Sequence, residues 1–187
     1  MSNSTLEARV RRKEARERYK PDPVRCLVIA EAPPSEDRYF YFEDVPSADW
    51  LFLGVMKALF PLEFAGYTPD RSPKRKRTLL RRFQAGGYWL LDAIEDPLED
   101  APKGGPSLVR FIQERSDLLD RLGKLKSGAG LRSHVPLILI KTTVYDGLQP
   151  PLKRAGYRVI DKRIPFPASG QQKVFDNSFK EAVARSN

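Results

Sequence analysis

Residues 24–34 read Val-Arg-Cys-Leu-Val-Ile-Ala-Glu-Ala-Pro-Pro, an apolar run closed by a glutamate and two prolines. The first part, residues 24–30, has the length and composition of a β-strand that is buried on both faces. Comparable runs follow at residues 87–91, 136–140 and 157–160. Helix-like segments separate the four runs, and strands that alternate with helices pair in parallel through right-handed crossovers. The sequence therefore predicts an α/β fold with about four parallel strands.

The segments between the runs carry helical spacing of apolar residues. Helices are predicted at residues 6–19, 50–60, 73–83, 107–125, 142–155 and 171–185. The first is dense in arginine and ends at the breaker Pro21-Asp22-Pro23. We therefore expect a basic N-terminal helical arm over residues 1–22 and a single α/β domain over residues 23–187.

Composition narrows the class of protein. The chain has 187 residues, of which 41% are hydrophobic, so it can bury a core without a disulfide or metal. One cysteine and one histidine nearly exclude a zinc or iron–sulfur site built on these ligands, and we expect neither metal nor cofactor. No apolar stretch reaches the roughly 20 residues of a membrane span, and the charged N-terminus does not resemble a signal peptide. The expected location is cytoplasmic.

The positive charge points to a polyanionic partner. Lys and Arg number 33 against 24 Asp and Glu, a net charge of +9. Such a surplus attracts nucleic acid, although it is also compatible with a merely soluble surface. The densest run is Lys74-Arg75-Lys76-Arg77, which we predict to contact phosphates. The alternative is a solvated helix face.

Polar residues follow the predicted strands. Ligands of open parallel sheets bind at the carboxyl ends of the strands, which here directs attention to Glu31, Asp92, Lys141 and Ile164. Glu31 is a candidate for water activation or a polar turn residue, and Asp92 a ligand acceptor or a helix cap. The aromatic segment at residues 39–42 suits base stacking, or it packs beneath its loop.

Three landmarks in this order resemble the uracil-DNA glycosylase superfamily. The first is Glu31-Ala32-Pro33, followed by Glu36-Asp37 as in one branch of that family. The second is Leu90-Leu91-Asp92, similar to the Leu-Leu-Asn-like strand end of the family. The third is residues 164–170, Ile-Pro-Phe-Pro-Ala-Ser-Gly, similar to its His-Pro-Ser-Pro-like loop.

The resemblance implies a three-layer sandwich with a central four-stranded parallel sheet. Glu31 and Asp92 would be catalytic, Ala32 and Pro33 would hold the base, Asp92 would read its edge, and Phe42 would stack on it. The residues expected to contact DNA are Lys74, Arg75, Lys76, Arg77, Arg163, Ala168, Ser169, Gly170 and Gln171. Of these, Ala168 to Gln171 would form the wedge that enters the minor groove.

The chain departs from the family at two decisive positions. Ile164 replaces the histidine that stabilises charge on the departing base, so this charge would have to be met by Lys141, Arg163 or backbone N–H groups. Asp92 replaces an asparagine, and a carboxylate, which only accepts hydrogen bonds, suits an amino group such as that of cytosine.

Three functions follow as hypotheses. The first is a divergent DNA glycosylase, a monomer that flips a damaged or deaminated base from duplex or single-stranded DNA and hydrolyses its N-glycosidic bond. The second is a non-catalytic nucleic-acid- or nucleotide-binding protein of the same fold. The third is a small-molecule α/β enzyme with incidental surface charge, for which no Gly-rich dinucleotide or P-loop signature is present.

Overall fold

The structure, a computed structural model, describes residues 3–34, 38–45, 48–67, 72–128, 130–132, 134–168 and 170–186. Glu36, Asp37 and Ser169, which enter the resemblance, lie outside these residues. The described helices are α1 (Asn3–Arg18), α2 (Trp50–Leu59), α3 (Pro61–Tyr67), α4 (Pro73–Ala85), α5 (Gly105–Arg115), α6 (Leu118–Ser127), α7 (Thr142–Arg154) and α8 (Gln172–Ser186). Among these, every helix is too short or too polar to cross a lipid bilayer.

The sheet is open and parallel. In the described part of the chain it contains three strands, β1 (Cys26–Ala30), β2 (Tyr88–Asp92) and β3 (Leu137–Leu139), in the order β2-β1-β3. Residues 26–30 of β1 are all buried, as their apolar composition predicts. The register sets Ala30 beside Asp92, so the loops that follow β1 and β2 leave the sheet side by side. The predicted α/β class with parallel strands is confirmed.

The fourth predicted strand is not confirmed. Residues 157–164 touch the sheet through two isolated parallel bridges, Leu137 with Val159 and Ile140 with Ile164. Within this segment, the N–H of Val159 bonds to the carbonyl of Tyr157 at 3.1 Å, and Lys162 bonds in the same way to Ile160 at 2.9 Å. Backbone groups that form such local turns cannot also form the regular hydrogen bonds of a β-ladder. The segment therefore runs beside β3 without forming a strand.

The helix predicted at residues 107–125 is two helices, α5 and α6. The break falls at Ser116, whose backbone is extended. Its hydroxyl donates to the carbonyl of Ala93 at 2.7 Å and accepts from the N–H of Leu118 at 3.3 Å. A serine that bonds neighbouring backbone competes with helix continuation. Because the apolar residues keep a spacing of three to four on both sides of Ser116, the sequence pattern gives no sign of the break.

The arginine-rich helix α1 lies against the body of the protein. Tyr19, just after its end, is fully buried and stacks on Tyr41 with ring centroids 6.0 Å apart. The indole N–H of Trp89, in β2, donates to the carbonyl of Arg16 at 3.4 Å. These contacts bring α1 to the strand whose carboxyl end carries Asp92.

Candidate functional site

A cavity of about 390 Å³ opens at the carboxyl edge of the sheet. Four segments that follow the strands contribute to its lining. They are represented by Glu31 after β1, Asp92 at the end of β2, Lys141 after β3, and Phe166 beyond the two bridges. Ala32 and Pro33, predicted to hold a base, line it too. The strand-end rule therefore selects residues that the fold brings together.

Glu31 and Lys141 form an ion pair across this cavity. The Lys141 ammonium lies 2.5 Å from one carboxylate oxygen of Glu31, and the Thr143 hydroxyl donates to the other at 3.2 Å. The side chains of Lys141 and Glu31 keep 32% and 17% of their surface exposed. Thr143 is not among the predicted site residues, although it follows the end of β3 by only a few residues.

The backbone of Lys141 occupies the left-handed region, with φ of 78°. This conformation is unfavourable for a residue with a side chain, by roughly 1–3 kcal/mol. Its N–H donates to the carbonyl of Ile164 at 2.9 Å, and its carbonyl accepts from Tyr145 in the first turn of α7 at 3.1 Å. Strain of this kind clusters at functional sites, where the surrounding structure holds it in place.

Asp92 is the most unusual polar group at the cavity. It is only 4% exposed, and the charged neighbours that act most strongly on its carboxyl group are arginines. Burial raises its pKa to about 7, although Arg16, Arg121 and Arg12 act in the opposite direction. A buried carboxyl in a concave site, with a strongly raised pKa, is characteristic of a ligand-binding or catalytic group.

The aromatic segment, residues 39–42, is entirely buried. Tyr39 and Phe40 line the cavity, whereas Phe42 is absent from its described lining. Phe42 instead packs beneath the Arg11 guanidinium, 4.4 Å from its ring centroid. The expectation that Phe42 stacks on a base is therefore corrected. Consecutive residues of a buried turn point in different directions, and composition alone does not tell which ring faces the cavity.

The position of Lys76 contradicts a second expectation, that this residue contacts a phosphate. Its side chain is fully buried, with the ammonium 3.4 Å from Asp49 and 4.5 Å from the centroid of the Phe52 ring. Burial lowers the pKa of Lys76 and raises that of Asp49, which also caps α2 by accepting from the N–H of Phe52. Lys76 cannot reach a phosphate at the surface. It shares the inward face of α4 with Leu79, Leu80 and Phe83, a spacing that is readable in the sequence.

The other basic residues predicted to contact DNA are exposed but not all near the cavity. Lys74, Arg75 and Arg77 lie on the outer face of α4, where Arg77 pairs with Glu43 at 2.6 Å. Arg163 pairs with Asp146 at 2.6 Å and borders a separate pocket beside α5 and α7. Of the two basic side chains expected to meet charge on a leaving base, only Lys141 is placed at the cavity.

In the loop that follows Ile164, Pro167 lies against α2. Pro167 packs on Gly54, where an added Cβ would lie 2.7 Å from the Cβ of Pro167. Gly170 has φ of +82°, and Gly170 and Gln171 are exposed while Ala168 is half-buried. Ile164 itself is fully buried. A histidine at that position would enter the core, so the cavity residue supplied by this loop is Phe166.

Within the described residues, no group of three or more His, Cys, Asp or Glu side chains is arranged to hold a metal ion. The charged side chains that line the cavity include the ion pair of Glu31 with Lys141 and the buried carboxyl of Asp92. Arg38 and Asp49, the partner of Lys76, line it as well. Comparisons with protein-family models, with curated proteins and with solved structures find no match for this chain.

Proposed function

We propose that the cavity binds a nucleobase and that the chain is a divergent DNA glycosylase, which hydrolyses the N-glycosidic bond of that base. The observation that carries the proposal is the buried carboxyl of Asp92 in the lining of the same cavity as the Glu31–Lys141 pair. The volume of about 390 Å³ lies at the lower end of the range for small-ligand pockets. Tyr39 and Phe40 supply aromatic wall.

In this reaction, a water molecule attacks the anomeric carbon of the sugar while the bond from that carbon to the base nitrogen breaks. The base leaves with the bonding electron pair, so negative charge develops on it until it takes up a proton. We assign the stabilisation of this charge to Lys141; Arg38 is a second basic residue that lines the cavity. Glu31, held by Lys141 and Thr143, is placed to orient the water and accept its proton.

Asp92 would bind the edge of the base. Its pKa of about 7 means that the protonated form is well populated at neutral pH. A protonated carboxyl both donates and accepts hydrogen bonds, as an amide does, whereas the ionised form only accepts. We therefore expect base preference to depend on pH: uracil-like edges at lower pH and amino-bearing edges such as cytosine at higher pH.

We also infer that residues 157–164 occupy the place of a fourth strand in a three-layer, uracil-DNA glycosylase-like sandwich. The parallel bridges Leu137–Val159 and Ile140–Ile164 support this, because they extend the order β2-β1-β3 at the β3 edge. The packing of α2 against α8 and of α5 against α7 is compatible with it.

DNA as the substrate is supported by the position of α4. Asp49 lines the cavity and pairs with Lys76 of α4, so the first turns of this helix lie beside the opening. Lys74 and Arg77, exposed on the same turns, are oriented toward solvent rather than toward the core. The net charge of +9 favours the same partner.

One observation favours the alternative, a binding protein without catalysis. Both carboxylate oxygens of Glu31 already accept bonds, one from Lys141 and one from Thr143. A carboxylate whose two oxygens are both engaged has less capacity left to accept a hydrogen bond from the attacking water. In that case the cavity would hold a base or nucleotide without cleaving it.

The deciding experiment is an excision assay on labelled single- and double-stranded oligonucleotides carrying a panel of damaged and normal bases. Lys141→Met should lower excision by about 100- to 1,000-fold, the usual effect of losing one charge-stabilising group. Arg163→Gln, which removes an exposed charge away from the cavity, should leave it unchanged. If the wild type cleaves nothing but binds these oligonucleotides, the binding function replaces the glycosylase; if it does neither, both fail.

A further inference from the structure

A second pocket, of about 320 Å³, lies between α1 and the carboxyl end of β2. We call it the α1 pocket. It shares Tyr39 and Asp92 with the cavity described above, and its other lining comes from α1 and from Glu95. Leu6 and Val10, which are 55% and 47% exposed, border it, so it is accessible from solvent.

Cationic side chains dominate the lining of this pocket. They are those of Arg9, Arg12, Lys13 and Arg16. The opposing carboxylates are fewer. Glu95 is already engaged at 3.0 Å by both Arg9 and Arg16, and burial raises the pKa of Asp92 to about 7, so part of that group is uncharged at neutral pH. The lining of the pocket therefore carries a surplus of positive charge, which is partly offset by Asp96 and Glu17, 3.8 Å from Arg12 and Arg16.

Several of its guanidinium N–H groups have no acceptor among the described residues. The Nε and Nη2 atoms of Arg12 and the Nε of Arg16 are buried and make no hydrogen bond there. The carboxylate oxygens that face them, on Asp96 and Glu17, lie 3.8 Å away, beyond hydrogen-bond range. Arg16 as a whole is only 9% exposed. Buried donors are normally satisfied, so these donors point to an anionic ligand.

We infer that the α1 pocket binds a phosphate group, either as the free ion or as part of a nucleotide or nucleic acid. Arginine forks bind phosphate oxygens through paired N–H groups. Arg12 and Arg16 stand one helical turn apart on α1, so their unsatisfied donors can converge on one tetrahedral anion. The site adjoins the base cavity, with which it shares Tyr39 and Asp92, but it does not depend on whether the chain cleaves DNA.

The test is a titration of the full chain with inorganic phosphate, read by calorimetry and by the rise in Tm, with sodium chloride added to constant ionic strength. We expect saturable binding below about 10 mM phosphate. Arg12→Gln should weaken it at least tenfold. Arg12→Lys, which keeps the charge but not the fork, should weaken it by a smaller factor. Arg18→Gln, an equal loss of charge from an exposed position on the same helix, should have no effect.

Competition experiments distinguish the three possible sources of the phosphate group. If an oligonucleotide displaces inorganic phosphate in the wild type, the group belongs to nucleic acid; if a nucleoside monophosphate alone does so, to a nucleotide; if neither does, to the free ion. The inference is overturned if phosphate gives no more stabilisation than sodium chloride at equal ionic strength. It is equally overturned if Arg18→Gln weakens binding as much as Arg12→Gln. Lys141→Met should leave phosphate binding intact, so this result and the excision result fail independently.

Discussion

Two lysine–carboxylate pairs border the cavity, and their surroundings differ sharply. Lys76 and Asp49 are a fully enclosed pair, with side chains 0% and 8% exposed, and Asp49 also caps α2. Lys141 and Glu31 keep 32% and 17% of their side chains exposed, and Lys141 sits on a backbone with positive φ. The first pair joins α4 to the start of α2, whereas the second joins the ends of two strands.

The difference separates a structural role from a functional one. A buried ion pair contributes little net stability when intact, but loss of one partner strands a charge in the core. A partly exposed pair contributes little in either case, so a strained backbone that positions it requires another explanation. We therefore assign the Lys76–Asp49 pair to the fold and the Lys141–Glu31 pair to the site.

The largest expected effect is that of Lys76→Met on stability. This change leaves the buried carboxylate of Asp49 without its partner, and we expect the free energy of unfolding to fall by about 3–5 kcal/mol. Urea denaturation followed by circular dichroism measures it. Lys74→Met, the same change at an exposed position of α4, serves as the matched control and should alter stability by less than about 0.5 kcal/mol.

A second substitution tests whether the unpaired charge of Asp49 causes the loss of stability in Lys76→Met. Asparagine keeps the helix-capping oxygen of Asp49 but carries no charge, so Asp49→Asn combined with Lys76→Met should recover much of the lost stability. A double variant no more stable than Lys76→Met would mean that packing of the lysine stem, rather than the stranded charge, is what matters.

Asp92 extends the comparison to a buried carboxyl whose cationic neighbours are arginines. Its pKa rises from 3.8 to about 7 on folding, so between these values the folded state binds more protons than the unfolded state. Stability should therefore fall as pH rises from about 4 to about 7, by up to about 1.4 kcal/mol per pH unit, and level off above. Asp92→Asn should remove this component and be more stable than the wild type at pH 8. An identical pH profile for both proteins would show that Asp92 titrates normally.

Much of this arrangement could be predicted from the sequence. The apolar runs at residues 24–30, 87–91 and 136–140 correspond to β1, β2 and β3, because strands buried on both faces must be apolar throughout. The strand-end rule then locates Glu31, Asp92 and Lys141 at one edge. Both inferences use local signals, and these survive folding.

The rest depends on tertiary contacts that no local pattern contains. Charge alone groups Lys76 with its basic neighbours, although its spacing from Leu79, Leu80 and Phe83 marks it as inward-facing. Phe42 and Tyr39 are both aromatic residues of one short segment, and only the path of the folded chain decides that Tyr39 lines the cavity. The burial of the Asp92 carboxyl is likewise a property of its packed surroundings.

Substitution of Lys141 should change stability less than substitution of Lys76 does, but it should have a large effect on activity. Lys141→Met should change the free energy of unfolding by less than about 1 kcal/mol, since the pair is partly exposed. Lys141→Gly should be more stable than Lys141→Met by roughly 1 kcal/mol, because glycine adopts positive φ without strain. Both variants should lose excision. If Lys141→Gly retains wild-type excision, the ammonium has no part in the chemistry and the functional assignment of this pair is wrong.

The smallest expected effect lies in DNA binding by the neighbours of Lys76. Each side chain that binds a phosphate releases a counterion, so its removal reduces the slope of log affinity against log salt by about one. Lys74→Gln and Arg77→Gln, exposed on α4, should each flatten the slope by this amount and weaken binding equally for all sequences. Arg163→Gln should leave the slope unchanged, because Arg163 borders a separate pocket beside α5 and α7, away from the cavity and from α4. Fluorescence anisotropy at several salt concentrations gives the slopes. Equal slopes for wild type, Lys74→Gln and Arg77→Gln would mean that DNA does not approach along α4, and the exposed part of the run would then be a solvated helix face.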